Sequence, residues 1–306
     1  MCCRAGQFTE QTNEEGKVFI VTGSNTGIGK ETVWELARRG ATVYMGCRDK
    51  AKAEEARREI IVDTKNHNIH FIELDLGSLD SVRKFVAEYK QKQDRLHVLI
   101  NNAGVMLGPR KLTKEGFEWQ LGVNHMGPFL LTILLIDLLK KSAPSRIVNV
   151  SSVAHSYGRI NTQDLNSEKS YSEVGAYNQS KLANVIFTRE LAARLEGTGV
   201  TANSLHPGVV DTDLFRNVRF INNNKCGEAL KCIAKPFIRP FIKTPKSGAQ
   251  TTLYAALHPD LEGVTGLYFS DCRPKNASNA ATNEETAKFL WAESEKWTGA
   301  PTAPLN

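Results

Sequence analysis

From Lys17 to Phe269, short β-branched runs alternate with stretches of helical periodicity, and this alternation restricts the fold more than any other feature of the chain. Residues 17–23 (KVFIVTG) read as a buried strand closed by glycine, and residues 28–39 as a helix stopped at Gly40. A strand at 42–45 precedes a charged amphipathic helix capped by Asp49 and running to 62. Strands at 69–74 and 98–101 flank a helix at 78–93. Helices are expected at 114–126 and 129–140, a strand at 146–150, a helix at 174–196 and a strand at 201–205. A helix at 247–257 and a strand at 266–269 complete the series.

Strands that alternate with helices imply a parallel sheet covered on both faces, a doubly wound α/β fold. No Pro/Gly/Ser-rich linker and no internal repeat divides the 306 residues. The expectation is therefore one domain over residues 17–300. A loose polar arm (1–16) precedes it, a tail (301–306) follows, and residues 213–246 form an inserted lid.

The first strand runs directly into Gly23-Ser24-Asn25-Thr26-Gly27-Ile28-Gly29, where a helix begins. Glycines let the backbone turn sharply and approach a pyrophosphate, while the helix N-terminus offers amide donors and partial positive charge. Such a triplet can also serve packing alone, and its position after the first strand favours dinucleotide binding. At the end of the second strand an NAD site would want a carboxylate; the chain has Cys47-Arg48. An arginine fork suits a 2′-phosphate, which favours NADP(H). The bland alternative makes Arg48 a solvated loop charge and Asp49 a simple helix cap. Asp75, after the third strand, is a candidate acceptor for the adenine amino group. Asn101-Asn102-Ala103-Gly104, after the fourth, is a candidate neighbour of the adenine ribose. Asp and Asn after strands also serve as turn formers.

Tyr177 and Lys181 lie four apart in a helical stretch and so project from one face. A neighbouring ammonium is expected to lower a phenol from its ordinary ~10, making Tyr177 an acid/base for a carbonyl or alcohol. Ser152, just past the fifth strand, sits where α/β sheets bind ligands and can hydrogen-bond a substrate oxygen. Asn124 is an amide in an apolar stretch, either a structural hydrogen-bonder or a site residue holding water.

In order, Thr22-Gly-x3-Gly-x-Gly29, Asn101-Asn-Ala-Gly104, Asn124, Ser152, Tyr177-x3-Lys181 and Pro207-Gly208 resemble the short-chain dehydrogenase/reductase family over residues 17–270. The resemblance implies a single Rossmann-type domain and hydride transfer between nicotinamide C4 and a substrate carbon. It implies Tyr177 as acid/base and Ser152 as the group orienting the carbonyl. Lys181 would bind the nicotinamide ribose, Asn124 would hold a relay water, and Pro207, Gly208 and Thr212 would lie at the nicotinamide end. The segments 121–132, 147–155, 180–184, 206–210 and 268–272 narrow the match. They are similar to the NADP-dependent retinol dehydrogenases that reduce all-trans-retinal, photoreceptor type included.

Composition bounds the remaining readings. With 41% hydrophobic and 24% charged residues the chain is neither a disordered tail, a collagen nor a coiled coil. The formal net charge of +6 is local: residues 215–246 carry eight basic residues against the single acidic Glu228, net +7, leaving the rest at −1. Apolar residues interleave with these charges, so the lid is read as covering a hydrophobic carbonyl substrate and meeting anionic lipid with its basic face. A plain solvated face is the alternative. No nucleic-acid motif accompanies the charges. The six cysteines include no CxxC pair, so no structural metal is expected and a reducing compartment is read. The apolar run 129–139 is far short of the ~20 residues that span a bilayer. It is assigned to core or a subunit interface, the latter in a homo-oligomer. Retinol dehydrogenases typically begin with a hydrophobic anchor, unlike Met1-Cys2-Cys3-Arg4. The expected location is cytoplasmic, with peripheral contact on intracellular membranes. Steroid, lipid-aldehyde or xenobiotic carbonyls are alternative substrates. A non-catalytic cofactor-binding protein would have no need of Asn124, Ser152, Tyr177 and Lys181 together.

Overall fold

A computed structural model describes residues 6–211, 243–301 and 305 of the chain. Strands β1 (Val18–Thr22), β2 (Thr42–Cys47), β3 (Ile69–Glu73), β4 (Val98–Asn101), β5 (Ser145–Val150), β6 (Val200–His206), β7 (Tyr268–Ser270) and β8 (Arg273–Lys275) form one eight-stranded sheet. Its order is β3-β2-β1-β4-β5-β6-β7-β8, with every neighbouring pair parallel except β7 and β8. All five residues of β1 are buried, which is why that strand reads as a continuous apolar run. The chain moves outward through β2 and β3, then returns to place β4 on the other side of β1. The crevice beyond the C-terminal ends of β1 and β4 is therefore the topological switch point, where open α/β sheets bind ligands.

Helices α1 (Gly27–Arg38), α2 (Lys50–Thr64) and α7 (Pro245–Leu257) bury one face of the sheet through Val33, Leu36, Ile60 and Leu253. Helices α3 (Leu79–Lys92), α5 (Gly127–Lys141) and α6 (Glu173–Arg194) bury the other through Phe85, Phe129, Leu135 and Phe187. The doubly wound α/β architecture read from the sequence is the one observed.

The differences are local. The helix expected at 114–126 starts only at Trp119, as the short α4 (Trp119–Leu121). Gly116, at φ +88°, turns the preceding residues into a tight loop closed by a Leu112–Glu118 bridge. Helix α4 then passes through a π turn, Gly122–Met126, straight into α5. Past β7, the antiparallel β8 and helix α8 (Glu284–Thr298) add elements that the sequence reading did not assign. Helix α8 is capped by the Asn283 side chain and sets Trp291 edge-on to Phe129 at 5.2 Å and 74°. Arm residues 6–16 carry no regular secondary structure but are docked: Phe8 is buried in the α1/α7 core, and Arg39 Nη1 donates to the Glu10 and Thr12 carbonyls. The lid expected at 213–246 falls outside the described residues except for 243–246, and of the tail 301–306 only residues 301 and 305 are described.

Among the described residues one helical stretch, Trp119–Lys141, is long and apolar enough to cross a membrane, and 83% of its most apolar window is buried in the fold. It packs as a core helix, one of the two readings, core or subunit interface, given to residues 129–140.

Trp291, 6% exposed, also packs on Phe187 and under the Arg194 guanidinium. Trp291→Ala is expected to lower the unfolding free energy by about 3–5 kcal/mol in urea titration, the usual cost of emptying a large aromatic site. Val62→Ala, on a side chain 63% exposed, should stay within about 0.5 kcal/mol of the parent.

Candidate active site

The turn after β1 and the turn after β4 are locked together at the switch point. Thr22 Oγ1 accepts the N–H groups of Asn102 and Ala103, both at 3.0 Å. Asn102 Nδ2 donates back to the Thr22 and Gly23 carbonyls at 2.8 and 3.2 Å. No side chain fits at Gly23 or Gly29 in this contact. A Cβ on Gly29 would lie 2.4 Å from the Gly23 oxygen, and one on Gly23, at φ +63°, 2.8 Å from Ala103 Cα. Ser24 Oγ donates to the Val21 carbonyl and stands 3.5 Å from Cys47 Sγ, fixing the turn to the end of β2.

Helix α1 begins on Gly27 and Ile28 after Thr26, which makes no side-chain cap, while Asp49, Ser78, Ser172, Thr244 and Asn283 cap α2, α3, α6, α7 and α8. Uncapped amides beside a glycine cradle fit an anionic pyrophosphate. The residues present, from Gly23 through Asn25 to Gly29, therefore suit a dinucleotide.

Arg48 is exposed just past β2, its guanidinium 5.9 Å from the Trp119 ring centroid. Asp49 caps α2, accepting from Lys52 N at 3.1 Å. Asp75 Oδ1 accepts from Gly77 N at 2.9 Å, so this carboxylate builds the β3–α3 turn. Asn101 belongs to a buried amide and hydroxyl network, donating to Thr132 Oγ1 and Asn149 Oδ1.

Ser152, Tyr177 and Lys181 converge beyond β5. Ser151 Oγ donates to the Lys181 carbonyl at 2.7 Å, tying the strand end to α6. Ser152 starts a short 3₁₀ turn, Val153–Tyr157, and its hydroxyl accepts from Ala154 N. Tyr177 and Lys181 lie one turn apart on α6, and Lys181 Nζ donates to the Val150 carbonyl at 3.2 Å. Gly104 closes over Lys181 and Asn124: a Cβ there would stand 3.3 Å from both Lys181 Nζ and Asn124 Oδ1.

Electrostatics corrects one expectation. Lys181 was expected to lower the Tyr177 phenol. Burial instead pushes that phenol up, opposed by the neighbouring Ser152 hydroxyl. Lys181 sits 5.8 Å from the ring centroid, and its own ammonium is pushed down to about 8 by burial.

Asn124 lies in the π turn. Its Nδ2 donates to the Val105 carbonyl and Ser180 Oγ, both at 2.9 Å, and its Oδ1 accepts from Val105 N at 2.7 Å. Pro128, four residues on, has no N–H to give the Asn124 carbonyl, which explains the widened turn. This proline was the unread sequence signal. The Pro207-Gly208 turn follows β6 at the same edge, with Gly208 at φ +93°. Its N–H donates to His206 Nδ1 at 3.0 Å. Thr212 lies outside the described residues.

A doubly wound sheet with a glycine turn at its switch point, and with Ser152, Tyr177 and Lys181 beyond β5, fits a nicotinamide-dependent oxidoreductase. The family model for short chain dehydrogenases matches residues 17–220, and the chain belongs to that family. It is 53% identical to retinol dehydrogenase 12 of Homo sapiens over 276 residues, 90% of this chain and 84% of the relative. It is 50% identical to retinol dehydrogenase 14 of Mus musculus over 298 residues, 93% and 86% of the two chains. A crystal structure of an uncharacterized protein from Mycobacterium Paratuberculosis superposes with a TM-score of 0.75 at 35% identity, covering 97% of this chain and 99% of that one.

The buried ammonium makes stability depend on pH. Between about 8 and lysine's ordinary ~10.4 the unfolded chain alone holds this proton, so stability rises with pH across that window. Below it the burial cost is fully present. Lys181→Met is expected to be more stable than the parent at pH 7, by on the order of 3 kcal/mol, with the gap closing as pH rises through the window. Urea titrations at pH 7 and 10 read this; a variant less stable than the parent at pH 7 would contradict it.

Proposed function

We propose that the chain reduces a retinoid-like aldehyde, all-trans-retinal, to its alcohol with NADPH. The observation that carries the reading is the Tyr177 phenol beside the Ser152 hydroxyl and one helical turn from Lys181, whose Nζ lies under Gly104. The relatives' names, at about half identity over most of the chain, support the retinoid. Arg48 at the end of β2, where an NAD site would want a carboxylate, supports the 2′-phosphate. A substrate this apolar partitions into lipid, so peripheral contact of the basic segment 215–246 with an anionic membrane surface belongs to the same reading.

Residues 23–29 and 102–104 would hold the dinucleotide, with Arg48 on its 2′-phosphate, Asp75 towards the adenine, and Pro207, Gly208 and Thr212 at the nicotinamide end. When bound, NADPH supplies the hydride that reduces the carbonyl carbon. Ser152 Oγ hydrogen-bonds the substrate oxygen and holds it against the Tyr177 phenol. Burial keeps that phenol protonated near neutral pH, so Tyr177 is ready to give its proton to the oxygen as negative charge develops. Lys181, with its ammonium brought down to about 8, stabilises the phenolate left behind. Asn124, whose carbonyl lacks its i+4 donor, is the place for a water that restores the proton.

The test is NADPH oxidation by the purified protein with all-trans-retinal, beside NADH, Tyr177→Phe and Arg48→Ala. Turnover with NADPH, a loss of roughly a hundredfold or more in Tyr177→Phe, and a raised KM for NADPH but not NADH in Arg48→Ala are expected. Tight NADPH binding with turnover only on steroid, lipid-aldehyde or xenobiotic carbonyls would overturn the retinoid assignment. Undiminished turnover in Tyr177→Phe would overturn the mechanism.

A further inference from the structure

His155 lies behind Ser152, three residues on, and is 2% exposed. Its Nε2 accepts the Ser278 N–H at 3.2 Å and so carries no proton. Its Nδ1 stands 2.8 Å from the Ser152 carbonyl oxygen and must be the donor there. The same carbonyl also receives the His155 main-chain N–H at 3.1 Å, so both bonds that hold the Ser152 peptide come from this residue. The ring is itself held. It packs on Tyr268 at 4.6 Å and 52°, and Tyr268 stacks on His206 at 6.2 Å and 13°. His206 Nδ1 accepts the Gly208 N–H, and its Nε2 meets Ser270 Oγ at 3.0 Å. A row His155–Tyr268–His206, its first two members buried, thus runs from the residue at the substrate oxygen to the turn at the nicotinamide end. Its anchors, Ser270 and Ser278, lie in the C-terminal part of the chain.

We propose that His155 is a positioning residue for Ser152. Its imidazole, protonated on Nδ1 because the Ser278 N–H occupies Nε2, pins the Ser152 carbonyl and thereby fixes Ser152 Oγ against the Tyr177 phenol. The inference rests on the reading that Ser152 and Tyr177 act on a carbonyl substrate. A peptide held by one bond fewer lets the hydroxyl leave the narrow range in which it can orient that oxygen. The effect belongs to the chemical step: the Gly23–Gly29 cradle stands on β1 and α1, and a ring kept at position 155 keeps the packing on Tyr268 that leads through His206 to the Gly208 turn.

The experiment is a double-mutant comparison on the full chain. His155→Phe keeps a ring in the row and removes the bond; His155→Asn keeps a donor near the position of Nδ1. Ser278→Pro deletes the N–H that sets the tautomer without altering either ring. Each is made in the parent and in Ser152→Ala, and kcat, KM for NADPH and the urea midpoint are measured. The expected result is a fall in kcat of about tenfold or more for His155→Phe, with KM for NADPH within about twofold of the parent. Recovery by His155→Asn and a smaller loss in Ser278→Pro are also expected. In the Ser152→Ala background, His155→Phe should cost less than about twofold further, because the group it positions is already gone. An equal fold-loss in both backgrounds, or a loss that His155→Asn does not relieve, would overturn the proposal. If the parent turns over another carbonyl but not retinal, only the retinoid assignment fails, and the comparison is made on that carbonyl. A parent that turns over none removes the underlying reading, and this inference with it.

Discussion

Lys181 places an ammonium, 4% exposed, against the end of β5, where the Val150 carbonyl accepts its hydrogen bond. Burying a cation with so few partners costs free energy, and the fold tolerates that cost because three pieces of backbone converge on the spot. Ser151 ties the strand end to α6 through the Lys181 carbonyl. Asn124 clamps the segment after β4 to α6 through Val105 and Ser180. Gly104 leaves the space that a side chain would fill. The same convergence brings Tyr177 to Ser152, so the feature that weakens the fold locally is the one that assembles the site.

The glycine turn after β1 and the group proposed to be catalytic meet in residues 102–104. Asn102 and Ala103 are held to Thr22 and Gly23 at the start of the α1 turn, and Gly104 lies over Lys181. A substitution that moves the β1–α1 turn is therefore transmitted through residues 102–104 to the surroundings of Lys181. On the far side, the histidines and Tyr268 support Ser152 and the Pro207-Gly208 turn from the β6–β7 edge. Between these two supports the site has rigid walls on either side of the switch point.

The fold was legible because β1, with every residue buried, and its glycine turn leave few alternatives, and because strict strand–helix alternation fixes a parallel sheet. Tyr177 and Lys181 were legible from their spacing, since one helical turn sets both on one face. What was not legible depended on tertiary contact. The charge state of Tyr177 could not be read, because burial outweighs the nearby cation and burial is not a local property. The 114–126 helix was overextended because Gly116 turns the chain there, a φ that the apolar pattern does not encode. Helix α8 did carry its signals, the Asn283 cap and Gly299 at φ +57°, but its buried residues are few and mixed with charge. His155 gave no signal at all: its role depends on Ser278, 123 residues away in sequence.

The central claim is that Tyr177 gives a proton to a carbonyl oxygen while a hydride arrives at its carbon. Reduction with NADPH carrying deuterium at both nicotinamide C4 positions, followed by mass analysis of the alcohol, tests it most directly. The account requires one deuterium on the carbinol carbon, with turnover that slows in D2O for the parent. Alcohol formed without that deuterium, or a parent rate indifferent to both substitutions when chemistry is isolated in a single turnover, would contradict it.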